Sequence, residues 1–171
     1  MARYDRKAAV IEGEFAVFLV GARINRWWAV PSWWWTYRAF RRIVQELESH
    51  EETGYLGGEL WPGRTTIMVQ YWRSVEQLIA YSRKRDAQHF PAWAHFNAKL
   101  ARRRSVGIWH ETYIIRPGEY ECIYGNMPPF GLAKAAQSVV ADGSRQTSTG
   151  RLGRSDGQDA PLDLDGRIVE K

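Results

Sequence analysis

The stretch RKRDAQHFPAWAHFN, residues 83–97, sets His89 and His95 six positions apart on either side of Pro91, in a chain with only four histidines. Imidazole changes charge near neutral pH, and its neutral form ligates metals and moves protons. Pro91 limits where a helix can begin. Only the first four N–H groups of a helix lack internal partners, so Pro91 is tolerated if the helix starts around Ala87 or Gln88. On such a helix His89, Trp93, Phe96 and Leu100 fall at i, i+4, i+7 and i+11, a single apolar stripe facing the sheet. His95 lies well round from that stripe, near Lys99 and Arg102. The spacing predicts His89 inward and His95 outward. A histidine in a helix's first turn has the positive end of the dipole beside it, which favours neutral imidazole. The plain alternative is a core histidine satisfied by a backbone carbonyl, the more frequent arrangement for a lone buried one.

A second histidine sharpens the question. In VGIWHETYII (106–115), Val106, Ile108, His110, Thr112 and Ile114 share one face of a strand, while Trp109, Glu111 and Tyr113 share the other. If the apolar set faces the helices, His110 lies across the helix–sheet gap from His89. Two inward histidines on opposite walls suit a flat metal cofactor, one as axial ligand and one as polar group over the open side. Glu111 points away from His110. A structural zinc site is less plausible, because Cys122 is the only thiol and no His/Cys spacing completes a tetrahedral set.

These residues need a scaffold, and the patterning supplies one. EFAVFLVGARI (14–24) is rich in β-branched and aromatic residues and reads as a first strand. A helix opens at Pro31-Ser32, with Phe40, Ile43, Val44 and Leu47 on one face. TGYLGGELWPG is a second strand, WPGR a hairpin turn, and RTTIMVQYW (64–72) the third and strongest strand. Ser74 and Gln77 form a capping box for a second helix, broken near Arg85-Asp86. A fourth strand runs from near Val106 to Pro117-Gly118. EYECIYGNMPPFGLAKA then reads as a short strand, a Pro-rich bend and a helical turn. From Ser138 the composition turns to Gly, Ser, Asp and Gln, which predicts a domain over 1–137 and a flexible tail over 138–171. The order β-α-β-β-α-β is ferredoxin-like, an α+β fold with both helices on one face of an antiparallel sheet. Strands one and three are apolar on both sides, so the other face needs cover. A second copy, sheet against sheet, would give a homodimeric α+β barrel.

Composition narrows the classes. The 171 residues are 44% hydrophobic, which fits a globular chain with one core. The net charge of +5 comes from arginines scattered among carboxylates, so a nucleic-acid partner is not indicated. No apolar run is long enough to cross a membrane, and MARYDRKAAVIEGEF has no signal-peptide core. A single cysteine fits a cytoplasmic location. The cluster RWWAVPSWWW (26–35) reads first as core or dimer packing. The sharper reading makes Trp27, Trp28 and Trp33–Trp35 walls for a flat cofactor or an aromatic small-molecule substrate.

The segment WHETYIIRPGEYECIYGNMPPFGL, with QYWRSVEQLIAYSRKRDAQHFPAWAHF before it, resembles a bacterial and fungal family labelled monooxygenase-like, from about Phe15 to Ala135. More distantly, over residues 70–133, it resembles the haem-containing phenylacetaldoxime dehydratases. That likeness rests on the two histidines, Glu111, Tyr120-Glu121 and Gly131-Leu132. It implies haem b (iron protoporphyrin IX), with His89 as axial iron ligand and His110 as catalytic distal acid/base. Trp93, Phe96 and Ile108 would line the cofactor, and Arg23 and Arg73 are candidates for its propionates, though such an arginine is more often an ordinary surface residue. Cys122 is a rival axial ligand, with no helix to orient it. The dehydratases carry two ferredoxin-like halves in one chain, whereas this sequence has one. The implied chemistry is dehydration of an N–OH substrate to a nitrile, or a related N–N bond formation. The alternatives are a cofactor-free monooxygenase of the antibiotic-biosynthesis type and a non-enzymatic binding protein on the same fold.

Overall fold

A computed structural model describes residues 5–157. The chain divides into two compact units, one continuous from Phe15 to Ile114 and one built from the flanking segments.

In the continuous unit the elements are β2 (Phe15–Ile24), α1 (Val30–Ser49), β3 (Tyr55–Trp61), β4 (Thr65–Trp72), α2 (Val75–Arg83), α3 (His89–His95), a wide π turn (Phe96–Leu100), α4 (Ala101–Arg103) and β5 (Val106–Ile115). The sheet order β3-β4-β2-β5 is that of the ferredoxin-like fold, as the patterning predicts. β2 and β4 pair antiparallel from Ala16↔Trp72 to Arg23↔Thr65. Strand alternation then sorts the residues. Ala16, Phe18, Val20 and Ala22 of β2 face the helices with Met68, Gln70 and Trp72 of β4. α1 lays Phe40 and Leu47 on that face, with Ile43 and Val44 packed beside them. Trp72 sits at its centre, 0% exposed, its ring 5.7 Å from that of Tyr55 and 5.5 Å from that of Tyr81. Its indole N–H donates to Gln70 Oε1 at 2.9 Å, so this buried polar pair is satisfied within the strand.

The opposite face carries Val17, Leu19, Ile67, Val69, Tyr71, Trp61, Trp109 and Tyr113. Ile67, Trp61 and Tyr113 among them are exposed. Gly21 is glycine for a packing reason. A Cβ there would collide with the Thr66 carbonyl and the Trp109 indole, so only a bare backbone lets Trp109 lie against the strand.

The second unit, described over 5–14 and 115–157, was largely illegible in the sequence. β1 (Arg6–Val10) pairs on one edge with β6 (Tyr124–Gly125) and on the other with β7 (Gln137–Val140). The Pro-rich bend and helical turn appear as expected, ending in α5 (Leu132–Ala135). The expected tail boundary at 138 falls inside β7, and residues 143–151 form a 3₁₀ turn and α6 (Ser148–Arg151). The remainder of the expected tail, 158–171, lies outside the described residues. The composition misled because this segment is held by charge and backbone bonds rather than by apolar burial. Arg151, with 8% of its side chain exposed, donates to Glu121 Oε2 at 2.7 Å and to the carbonyls of Arg145 and Gln146.

Removing Arg151 takes its donor from that carboxylate and from the Arg145 carbonyl, while the Gln146 carbonyl keeps the Arg6 guanidinium at 3.1 Å. Arg151→Ala should therefore cost about 1–3 kcal/mol, the range for a hydrogen bond to a charged group. Truncation after Ala141 should cost at least as much. Thermal melting checks both; a truncated chain melting with the full-length one would show that 142–157 contributes nothing.

Candidate functional site

α2 ends at Arg83 and α3 begins at His89, so the break and restart fall where Pro91 requires. Ser74 accepts from the Gln77 N–H at 3.3 Å and opens α2 as the capping box predicts. The restart has a clamp that the sequence did not reveal. Glu46, on α1, accepts with one oxygen from the Gln88 N–H at 2.9 Å and from the Tyr81 hydroxyl at 2.7 Å. A carboxylate at the start of α3 satisfies an orphan N–H there and suits the positive helix end. Burial, with this carboxylate beside it, pushes the Tyr81 hydroxyl well above its usual range, so it stays protonated and donating. Glu46→Ala is expected to cost about 1–3 kcal/mol, because it strips the partner from a half-buried hydroxyl and a backbone donor. Hydrogen exchange should show the loss first at Gln88–Phe90; unchanged protection there would dismiss the clamp.

His89 follows directly. Its ring lies 4.9 Å from that of Tyr81, and Nε2 bonds the Ser82 carbonyl at 2.6 Å. A bond to a carbonyl needs the proton on Nε2, so neutral imidazole keeps its lone pair on Nδ1. Nδ1 is buried and has no partner among the described residues. His89 is thus inward and half-buried, and the backbone carbonyl of the plain alternative is present too. A held N–H on one nitrogen and a free lone pair on the other is also how metal-binding imidazoles are oriented. The donor chemistry fits an axial ligand.

The single stripe does not survive. The Ala101 N–H donates to the carbonyl of Phe96, five residues back, which widens the turn at 96–100. Leu100 is buried, Trp93 is 54% exposed, and His95 turns inward to stack on Trp35 at 3.9 Å between ring centroids. His95 is therefore a packing residue rather than a solvent-facing one. The wide turn seats His95 and Leu100 inward together, five positions apart, which no regular helix allows. Phe96 is half-buried against Trp93, at 6.1 Å between rings.

On β5, Val106 packs with Phe40 and Met68 on the helix side, and alternation puts Ile108 and His110 on the same side. The His110 ring lies 5.7 Å from that of Phe18, is exposed, and has no hydrogen bond to a described residue. Glu111 points the other way and accepts from the Tyr113 hydroxyl at 2.6 Å. Arg23 does not reach this side; it is exposed on the outer face, donating to Thr65 Oγ1 at 3.0 Å. Arg73 is exposed just past β4. Cys122 lies in the other unit, where Sγ accepts from the Ala9 N–H at 3.2 Å and burial pushes the thiol's pKa up. No group of three His, Cys, Asp or Glu among the described residues could hold a bare metal ion.

The tryptophan cluster divides. Trp27, Trp28 and Trp34 are exposed, and Trp33 donates its indole N–H to the Trp27 carbonyl at 3.0 Å. Trp33, Trp34, Tyr37 and Phe40 wall a cavity of about 480 Å³, with Thr66 and Val106 among its other lining residues.

Comparison with known proteins agrees with this architecture. Monooxygenase af470 of Aspergillus fumigatus is 27% identical over 137 residues, covering 75% of this chain and 48% of that protein. The chain thus spans about half the length of the curated relative it matches. An aldoxime dehydratase crystallised with butyraldoxime shares the fold with a TM-score of 0.58 at 13% identity, over 81% of this chain and 39% of that one. Among described residues no helix is long and apolar enough to cross a membrane. The family described as monooxygenase af470-like matches residues 15–132, most of the chain. This protein belongs to the monooxygenase af470-like family.

Proposed function

We propose that this chain is a haem-dependent enzyme that dehydrates a small molecule bearing an N–OH group. The observation that carries the reading is His89, whose Nε2 is tied to the Ser82 carbonyl and whose Nδ1 is buried with no partner among the described residues. His89 would hold the haem iron, with Phe96 half-buried on the same helical run and Ile108 on the helix side of β5. Haem held there would supply the electron density needed to weaken the N–O bond. His110 does the proton work. As imidazolium it protonates the departing hydroxyl at oxygen; as imidazole it then takes the proton from carbon. Water leaves, the C=N bond becomes a nitrile, and no net electrons are exchanged. General acid assistance of this kind is worth about 10²–10⁴-fold.

Two copies would complete the molecule. The outer face of β3-β4-β2-β5 offers Trp61, Ile67 and Tyr113 to solvent, and the aldoxime dehydratase, about twice this length, has room for a second half. Light scattering should give a homodimer at micromolar concentration; a monomer would remove this part of the reading.

The aromatic-walled cavity favours a second reading, a cofactor-free monooxygenase in which dioxygen oxidises an electron-rich aromatic substrate held by Trp33, Trp34 and Tyr37. A visible spectrum of protein freshly purified from haem-replete cells separates them. A stoichiometric Soret band supports the dehydratase; its absence leaves the oxygenase.

A further inference from the structure

A second cavity, of about 380 Å³, opens where α1 begins and where α4 passes into β5. Arg26, Arg102, Arg103 and Arg104 line it together with Trp28 and Ser105. None of the four guanidinium groups pairs with a carboxylate of a described residue, so the charge is uncompensated. The 20-residue α1 adds the positive end of its dipole, and its first turn carries no acidic residue to cancel it. The carbonyl end of the 89–103 helical run opposes this with about half a charge, which four guanidiniums outweigh.

Ser105 turns a basic corner into a built site. It is 2% exposed, and its Oγ is buried without a hydrogen-bond partner among the described residues. An orphaned buried hydroxyl is costly and points to a missing acceptor. The residue itself is fixed, because its carbonyl takes the Asn25 N–H at 2.9 Å and the Arg26 N–H at 3.2 Å. Arg104, just before it, is held at φ 51°, a left-handed conformation uncommon outside glycine.

We infer that this cavity binds the phosphoryl group of a small phosphate ester, with Ser105 Oγ donating to it, the arginines neutralising it and Trp28 beside its organic part. A phosphoryl dianion brings about −1.5 to −2 charge and three acceptor oxygens, matching forked guanidiniums plus a hydroxyl better than a carboxylate would. The site is separate from the His89–His110 chemistry, and the inference stands whether or not the haem reading does.

Phenyl phosphate, benzoate and inorganic phosphate, titrated into the full chain at about 0.15 M salt, test it by calorimetry and tryptophan fluorescence. Phenyl phosphate should bind about tenfold or more tighter than benzoate, the ratio expected when one or two charge-assisted bonds distinguish them. Inorganic phosphate should compete with it, which separates recognition of the phosphoryl group from capture of the ring. Arg103→Ala, an exposed position that leaves the fold intact, should weaken binding about tenfold, and Ser105→Ala by a similar factor. Ser105→Ala should not lower the melting temperature, because its hydroxyl has no partner among the described residues. Benzoate binding as tightly as phenyl phosphate, no competition by phosphate, no binding at millimolar concentration, or unaltered affinity in both variants would each overturn the assignment.

Discussion

Replacing His110 by alanine should lower turnover by about 10²–10⁴-fold while leaving a haem spectrum in place. The two readouts separate because His110 is exposed on the helix side of β5 and touches only the ring of Phe18 in the described contacts. Its loss removes a proton donor and little packing. His89→Ala should do the reverse, abolishing stoichiometric haem uptake, since it removes the only buried imidazole nitrogen that lacks a partner among described residues. His50, exposed at the end of α1 and bonded to the Glu46 carbonyl at 2.9 Å, is the control that should change neither. His95→Ala should leave the spectrum intact but lower stability, because that ring stacks on Trp35. A normal Soret band in His89→Ala, or full turnover in His110→Ala, would reverse the assignment of ligand and acid.

Trp72→Ala carries the largest expected effect on stability. Truncating a fully buried tryptophan costs about 3–5 kcal/mol through lost contacts and the residual cavity. The Gln70 amide oxygen, bonded to the indole N–H, would then be buried without that donor, adding about 1–3 kcal/mol. Against a total stability of about 5–15 kcal/mol, such a loss removes roughly half of what holds a domain of this size folded. Trp72→Phe keeps the ring packing between Tyr55 and Tyr81 and should lose much less. Chemical denaturation followed by circular dichroism distinguishes them; a loss below about 1.5 kcal/mol for the alanine variant would mean the core closes over the gap.

The sequence made the sheet and its layering readable because period-two strands and the Phe40–Leu47 stripe on α1 are strong, local signals. It also placed His110 on the correct face, since strand alternation admits no drift. The helix around His89 was only half legible. Pro91 located its start, but nothing in FNAKL announces the wide turn, so Trp93 was assigned inward and His95 outward when the packing does the opposite. Glu46 carries no local signal of its role, because its partners Tyr81 and Gln88 lie 35 and 42 positions away. The flanking unit failed for a related reason. RKAAV is short and acquires meaning only against a strand more than 120 residues further on.

That pairing sets an order of events during synthesis. The Phe15–Ile114 unit is continuous, so all its contacts are available once its last strand has left the ribosome. β1 emerges before either of its neighbours, Tyr124–Gly125 and Gln137–Val140. Closing so long a loop is slow compared with local contacts, and translation at about 5–20 residues per second adds several more seconds of delay. Throughout that interval β1 has two unpaired edges, a template for other nascent strands. Arg6 and Lys7 within it are the kind of charge that keeps such an edge from pairing with the wrong one.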